Sequence, residues 1–471
     1  MLQDADALPQ LIGEYKPVDQ WQRHVNRLFY HFRGTEIRRF YQTFASADYR
    51  LAHALAAEYC QFVRDREKRQ EKRSGSELVI HEWGSGNGNL AACFLSHLKK
   101  LDQDGTIYPR VRYVLIDWES SIVEAAVASP ALAPHKDRIQ ARCMAVDQLQ
   151  SEADGSVDRI FCNELWNDLP TKLMSRQAGE FEEEWLRPNL SEALHPKIDD
   201  WAGFVRSFET QDAEALRRFP PFFDDLVWER EYRAVDWKDV PYRKIITEFL
   251  RRIDDQVIVP VNLGAFATLK EAKRLLAPDA AGFSSFDAGT ADLKVLNDPD
   301  KPCSSQFGGQ QSFMVNFALV EAVGKQIGFG ALALESQREF VGRNLGTNVL
   351  PLMDLLATHP SAGSKMEFWE QDRLILDTLH ALNHTYTSPY EREIEFAIRP
   401  DAPTAARKQL EALAHSLKPT GVPDTIAYLT EEELMAASKS LEEIGYDPQS
   451  FLIALTAPPG PVDYFHMSVR P

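Results

Sequence analysis

Glu82, Gly84, Gly86 and Gly88 form an E-x-G-x-G-x-G run where the apolar segment ELVIHEW (77–83) meets a helix-like stretch, LAACFLSHLKKL. Glycines at such a turn let backbone approach a ligand closely, and the helix that follows offers free N–H groups. A dinucleotide loop reads G-x-G-x-x-G, and counted from Gly84 its last glycine would be residue 89, which is Asn89. Asp117 ends a second apolar run, YVLID, where a carboxylate can accept both hydroxyl hydrogens of a ribose diol. It lies about thirty residues beyond the loop, against roughly twenty in a dinucleotide fold, and this counts against a nicotinamide oxidoreductase. Asn163, Glu164 and Asp168 follow a third run, VDRIFC, within NELWNDLP (163–170). Paired carboxylates suit a guanidinium, whose fork they bind through charge-assisted hydrogen bonds. The bland alternatives are a tight strand–helix turn with an incidental acid, and, for Glu164 and Asp168, caps on a helix entered near Pro170.

These residues need a scaffold that brings several strand ends together. Short apolar runs alternating with helix-like segments of 10 to 15 residues predict βαβ units and a mostly parallel, doubly wound sheet. Ligands of such sheets bind beyond the carboxyl ends of the strands, where all eight residues named above fall. Residues 1–75 read as a helical cap, with Leu51, Leu55, Tyr59 and Phe62 near helical spacing. The α/β pattern over 76–345 is interrupted at about 171–240 by a charged, tryptophan-containing insertion, then resumes with VIVPVN, a helix over 264–277, GFSSFDAG, a long helix over 312–327 and FGALALES. The region 346–471 reads as a mostly helical extension, with a capping-box pattern at Thr430–Glu433 and a closing alternation, DYFHMSV, that suits a strand.

At the glycine loop the spacing resembles the first motif of class I S-adenosylmethionine-dependent methyltransferases. Three segments together, EWGSGNGNL (82–90), IDWES (116–120) and NELWNDLP (163–170), resemble the motifs of the MidA-like family, which includes a mitochondrial complex I assembly factor regarded as a protein arginine methyltransferase. GFSSFDAG (282–289) is similar to that family's strand ending in Asp-Tyr-Gly, with Ala288 in the tyrosine's place, and YQTFASADYRLAHALA (41–56) to its entry region. The resemblance implies a Rossmann-like methyltransferase fold with S-adenosylmethionine as cofactor. It implies that Gly84, Gly86 and Gly88 shape the cofactor site, that Glu82 orients the loop or the methionine end, and that Asp117 binds the ribose. Asn163, Glu164 and Asp168 would position the nucleophile of a protein side chain, arginine favoured, under a roof of N-terminal helices and the 171–240 insertion. Trp83, Ser85, Asn87 and Ala288 depart from the family pattern and leave a second reading open, a catalytically weak or inactive methyltransferase-like binding or assembly factor.

The 471 residues carry 52 Lys+Arg against 70 Asp+Glu, a net charge of −18, which argues against nonspecific nucleic-acid binding and against anionic membranes. Five widely spaced cysteines give no zinc-ligand pattern, and no signal peptide or membrane-spanning run is evident, so the expectation is a cytoplasmic protein without a metal. A protein partner is expected as substrate, and the oligomeric state stays open, a homodimer included.

Overall fold

A computed structural model describes residues 10–34, 50–69, 76–146, 152–345, 402–417 and 464–471, with isolated positions at 149, 367, 369–374, 376, 439 and 442. The chain opens with β1 (Gln10–Leu11), β2 (Lys16–Pro17), α1 (Val18–Arg33) and α2 (Arg50–Lys68). Then come β3 (Leu78–Trp83), α3 (Asn89–Leu101), β4 (Val111–Asp117), α4 (Ser120–Val127), β5 (Ile139–Cys143) and β6 (Arg159–Asn163). The next group is β7 (Lys172–Gln177), β8 (Glu180–Leu190), α5 (Trp201–Glu209), α6 (Ala213–Leu216), β9 (Leu226–Ala234), α7 (Arg243–Leu250), β10 (Val259–Val261) and α8 (Leu263–Leu275). After β11 (Gly282–Thr290) and α9 (Leu293–Leu296) come the hairpin β12 (Ser304–Phe307) and β13 (Gln310–Phe313), then β14 (Val315–Asn316) and α10 (Phe317–Ile327). The described elements close with β15 (Ala331–Ser336), α11 (Gln337–Leu345), α12 (Thr404–Leu417) and β16 (Tyr464–Arg470).

The main sheet has the order β15-β16-β11-β6-β3-β4-β5. Neighbours from β11 to β5 pair in parallel, whereas β16 runs antiparallel to both β11 and β15. The order reverses between β3 and β6, and in open α/β sheets such a switch point is where ligands bind, beyond the strand ends. Strands β3, β4 and β6 are apolar on both faces because both faces are covered. Leu78, Ile80, Tyr113, Leu115 and Phe161 pack with α2 and α3, while Val79, Trp83, Val114, Ile116 and Ile160 pack toward α8 and α10.

A second, antiparallel sheet of six strands is built on β8, which pairs with β1, β2, β7 and β9, and β7 carries β10. Trp21, Val25 and Phe29 of α1 fill its core with Leu186, Phe204, Phe208 and Phe223. The 171–240 stretch therefore supplies three strands of this sheet, β7, β8 and β9, together with the helices α5 and α6, and among the described N-terminal residues the short strands β1 and β2 precede α1. The predicted long helix over 312–327 is shorter than expected. Strands β13 and β14 occupy 310–316, and α10 starts at Phe317, where the Asn316 side chain accepts from Leu319 N at 3.1 Å. The capping box at 430–433 and most of the 41–56 segment lie outside the described residues. The terminal alternation is the strand β16, inserted between β11 and β15. Among the described residues no helix is long and apolar enough to cross a membrane.

One buried ionic contact ties α2 to the sheet's amino-terminal edge. Asp158, fully buried before β6, accepts from Tyr59 Oη at 2.6 Å and from both terminal nitrogens of Arg66, at 2.5 and 3.2 Å. Removing one member of such a pair leaves the other charge buried without compensation. Asp158→Ala is predicted to destabilise the protein by about 3–5 kcal/mol, read by denaturant unfolding; a loss below about 1 kcal/mol, the scale of an exposed pair, would contradict this.

Candidate active site

The glycine loop is hung from the end of β4. Gly84 N and Ser85 N donate to Ile116 O at 2.9 and 3.3 Å, and Gly88 N donates to Ser85 O at 3.0 Å. Gly84, Gly86 and Gly88 all have left-handed φ, at +70°, +50° and +76°. Their steric surroundings differ. A Cβ on Gly88 would meet Leu132 Cδ1 at 2.9 Å, one on Gly84 would meet Leu165 Cδ1 at 3.1 Å, and one on Gly86 would meet nothing within 4 Å. Gly84 and Gly88 thus serve packing, whereas Gly86 borders open space. A hydroxyl orphaned among the described residues, buried Ser85 Oγ, lies beside it in the loop, and Asn163 Oδ1 at the end of β6 is likewise without a partner. A cradle with open space and unanswered polar atoms is what a polar cofactor would fill.

Asp117 joins the second strand end to the loop. Its Oδ2 accepts from Gly86 N at 3.1 Å and its Oδ1 from Glu119 N at 3.4 Å. Burial pushes its carboxyl up to about 6, against the pull of these backbone donors. Glu82 is less directly aimed. Its carboxyl accepts from Tyr113 Oη at 2.7 Å rather than from a loop amide, and burial pushes it up to about 8.

The acidic loop after β6 is strained and tied to β11. Glu164 has φ +48°, and its N–H donates to Phe286 O at 2.7 Å. Non-glycine residues in that region persist only where their surroundings over-determine them, commonly at functional sites. The Glu164 carboxylate accepts from Asn163 Nδ2 at 3.4 Å and from Tyr464 Oη at 3.1 Å. Asp168 Oδ1 accepts from Gln310 Nε2 at 3.0 Å and from Asn26 Nδ2. Burial pushes the Asp168 carboxyl up to about 6, opposed by hydrogen bonds from Tyr30 and Gln310 and helped by Asp117. Neither carboxylate caps a helix, because the strand β7 follows Pro170.

Of the eight residues expected from sequence, Asp117, Glu164 and Asp168 share one electrostatic neighbourhood, since all three act on the buried Tyr30 hydroxyl and raise it. Four further participants were not anticipated. Asp287, fully buried in β11 one residue past its last pair with β6, accepts from Trp166 N at 2.8 Å, Asn167 N at 3.3 Å and Ala288 N at 3.0 Å, and burial with Glu164 nearby holds it far above the usual carboxylate range. It had a signal, an acid at the carboxyl end of a parallel strand, the same position as Asp117. Asn26 and Tyr30 of α1 and Tyr464 of β16 had none, being 142, 138 and 300 residues from the groups they touch.

The raised carboxyl of Asp117 gives a signed pH dependence. Between about pH 4, its unfolded value, and about 6, the folded protein holds a proton that the unfolded chain has lost. The stability from this group is therefore present below about pH 4 and lost as pH rises through 6. Asp117→Asn, neutral throughout, should gain on the parent across that window by up to about 2–3 kcal/mol, measured by urea unfolding at both ends. A gap that stays constant or shrinks would contradict the placement.

Residues 54–285, from α2 into β11, match the model of a family described as "Putative S-adenosyl-L-methionine-dependent methyltransferase". No curated protein matches the chain. Among solved structures, a superfamily member from Burkholderia thailandensis bound to S-adenosyl-homocysteine is similar at 16% identity and TM-score 0.50, covering 72% of this chain and 79% of that one. A native structure of an uncharacterized superfamily protein from the same organism gives 15% identity and TM-score 0.46 over 97% and 87% of the two chains. At such identity the structural likeness concerns the fold, a mixed α/β sheet of the class I methyltransferase kind. The family match, centred on the strand ends described above, makes S-adenosylmethionine the cofactor of this methyltransferase-like chain.

Proposed function

We propose that this protein is a diverged MidA-like enzyme that transfers a methyl group from S-adenosylmethionine to a protein side chain, with the arginine guanidinium the favoured acceptor. The observation that carries the reading is the meeting of the open glycine cradle, Asp117 and the Asn163–Asp168 loop at adjacent strand ends, where Asp117 and Asp168 raise the same buried phenol. The cofactor supplies a methyl group on a positively charged sulfur. Gly86, with Gly84 and Gly88 holding the turn, borders the space for it, and Asp117 offers a carboxylate to the ribose. Glu82, locked to Tyr113, stiffens the strand end from which the loop departs.

A cationic acceptor fits the acidic side of this crevice. Among the described residues the groups acting on Asp168 are Asn26, Tyr30, Gln310 and Asp117, none of them a base, so a guanidinium would supply positive charge and favour the ionised carboxylate. Glu164 and Asp168, with Asn163, would hold the guanidinium fork through hydrogen bonds, fixing one nitrogen at near-attack distance. We take 76–345 as the methyltransferase core and α1 with the 171–240 sheet as its roof. The binding-factor reading draws on one observation, that Asp168 is already held by Asn26, Tyr30 and Gln310.

The test is calorimetric titration of S-adenosylhomocysteine into the parent and Gly86→Val, with methyl-tritiated S-adenosylmethionine then offered to arginine-bearing peptides. We predict roughly micromolar affinity in the parent. The valine should lose it by about a hundredfold or more while unfolding at a midpoint near the parent's, because its side chain enters open space at a left-handed φ costing only about 1–2 kcal/mol. A folded parent that binds no S-adenosylhomocysteine would overturn the proposal. Binding with no label on any peptide or lysate fraction would favour the binding factor instead.

A further inference from the structure

We infer that Asn26 of α1 is a positioning residue that aims the Asp168 carboxylate at the methyl acceptor, so that the first long helix of the chain completes the acceptor site. The inference rests on the proposed function above, in which Asp168 helps to hold the acceptor.

Asn26 is buried, and its amide is engaged at both ends. Its Nδ2 donates to Asp168 Oδ1 and to Gln311 O at 2.8 Å, while its Oδ1 accepts from Gln311 N at 2.8 Å. Turning the amide over would set oxygen against oxygen and N–H against N–H, so the donor facing Asp168 is fixed in place. The hairpin meets the same carboxylate from β13. Gln310 Nε2 donates to Asp168 Oδ1 at 3.0 Å and to Tyr30 Oη at 3.1 Å. Two amides on one oxygen pin that end of the carboxylate and thereby set where Oδ2 points. Gln22, one turn before Asn26, holds the backbone of the loop, accepting from Thr171 N at 2.8 Å and donating to Asn167 O at 3.3 Å. Helix α1 thus grips the loop on both sides of Asp168 as well as at its carboxylate.

The chemistry calls for a neutral donor at this position. The titratable groups acting on Asp168 are Tyr30 from α1 and Asp117 from the end of β4, and Glu164 of the same loop acts with them on Tyr30. From the hairpin comes the uncharged Gln310. A lysine at position 26 would answer the carboxylate itself and compete with a cationic acceptor, whereas a second carboxylate would hold a proton against it. An amide orients Asp168 and leaves its charge to the acceptor.

Asn26→Asp is nearly isosteric, keeps an acceptor for Gln311 N and sets a carboxylate against Asp168. The two must then share a proton, which the folded protein keeps to a higher pH than the unfolded chain does, so stability present at low pH is lost as pH rises. We predict that the variant's unfolding constant, relative to the parent's, rises at least about ten-fold between about pH 5 and about pH 8 in urea titrations. In Asn26→Asp/Asp168→Asn, with one carboxyl at the contact again, that rise should vanish. A ratio independent of pH, or a rise that survives the second substitution, overturns the inference. In the reaction, the acid limb of the kcat profile on an arginine peptide should move up by about one pH unit or more in Asn26→Asp, with S-adenosylhomocysteine affinity within about two-fold of the parent. Gln310→Met, uncharged and acting from the hairpin, should move the limb in the same direction. A limb unmoved in both variants is what a packing role alone would give, and it overturns the positioning role. If the parent binds S-adenosylhomocysteine but labels nothing, the arginine proposal fails on its own, and the stability cycle still decides whether Asn26 holds Asp168.

Discussion

Four carboxyl groups, Glu82, Asp117, Asp168 and Asp287, are held out of water near one end of one sheet, and for each the cost of burial exceeds what its hydrogen-bond donors return. Most of the site's architecture follows from that constraint. A buried carboxylate needs donors, and those supplied are neutral: the Gly86 and Glu119 amides on Asp117, Asn26 and Gln310 on Asp168, and the Trp166, Asn167 and Ala288 amides on Asp287. Neutral donors orient a carboxylate without neutralising it. Glu82 and Asp287, raised furthest, keep their protons at neutral pH, so the negative character kept for a ligand is that of Asp117 and Asp168, and a sulfonium cofactor with a cationic acceptor is the pair that these two would welcome.

Side-chain donors come from three distant parts of the chain. Helix α1 brings Asn26 and Tyr30 to Asp168, the β12–β13 hairpin brings Gln310 to the same carboxyl, and β16 brings Tyr464 to Glu164. Asn26 also bonds the hairpin backbone in both directions, donating to Gln311 O and accepting from Gln311 N at 2.8 Å each, so helix and hairpin act as one wall. The antiparallel sheet holds this wall through the Trp21–Phe29 face of α1. Its place in the fold is thus to carry α1 over the strand ends; of the acids in β8 and β9 that make it read as a charged insertion, Glu182, Glu229 and Glu231 are half-exposed, whereas Glu183 and Glu184 are buried and paired with Lys172 and Arg230.

What was legible in the sequence is what local chemistry dictates. The glycine loop, the acid ending YVLID and the run VDRIFC follow from strand ends meeting turns, and the alternation of DYFHMSV gave the last strand. The antiparallel sheet was hidden because its tight turn between β7 and β8 places Ala178 at φ +49° ahead of Gly179, without the Asn-Gly or Asp-Gly pair that announces such a hairpin. The apolar run over 312–327 read as one helix because periodicity does not see Asn316, whose side chain caps a helix that starts five residues late, at Phe317. Asp287 was half visible, as an acid in a quoted strand end given no role. Asn26, Tyr30 and Tyr464 were invisible, since their contacts exist only once the topology brings remote segments together.

The claim at the centre is that buried, unneutralised carboxylates make this crevice a site for a cationic cofactor. It is tested most directly by the ratio of S-adenosylmethionine to S-adenosylhomocysteine affinity, measured by calorimetry from about pH 5 to about pH 8, across the titration of Asp117 and Asp168 near 6. The two ligands differ by the sulfonium methyl and its charge. The preference for the charged form should rise with pH as these carboxylates ionise and flatten above it. A ratio independent of pH, or one that falls as pH rises, would contradict the account.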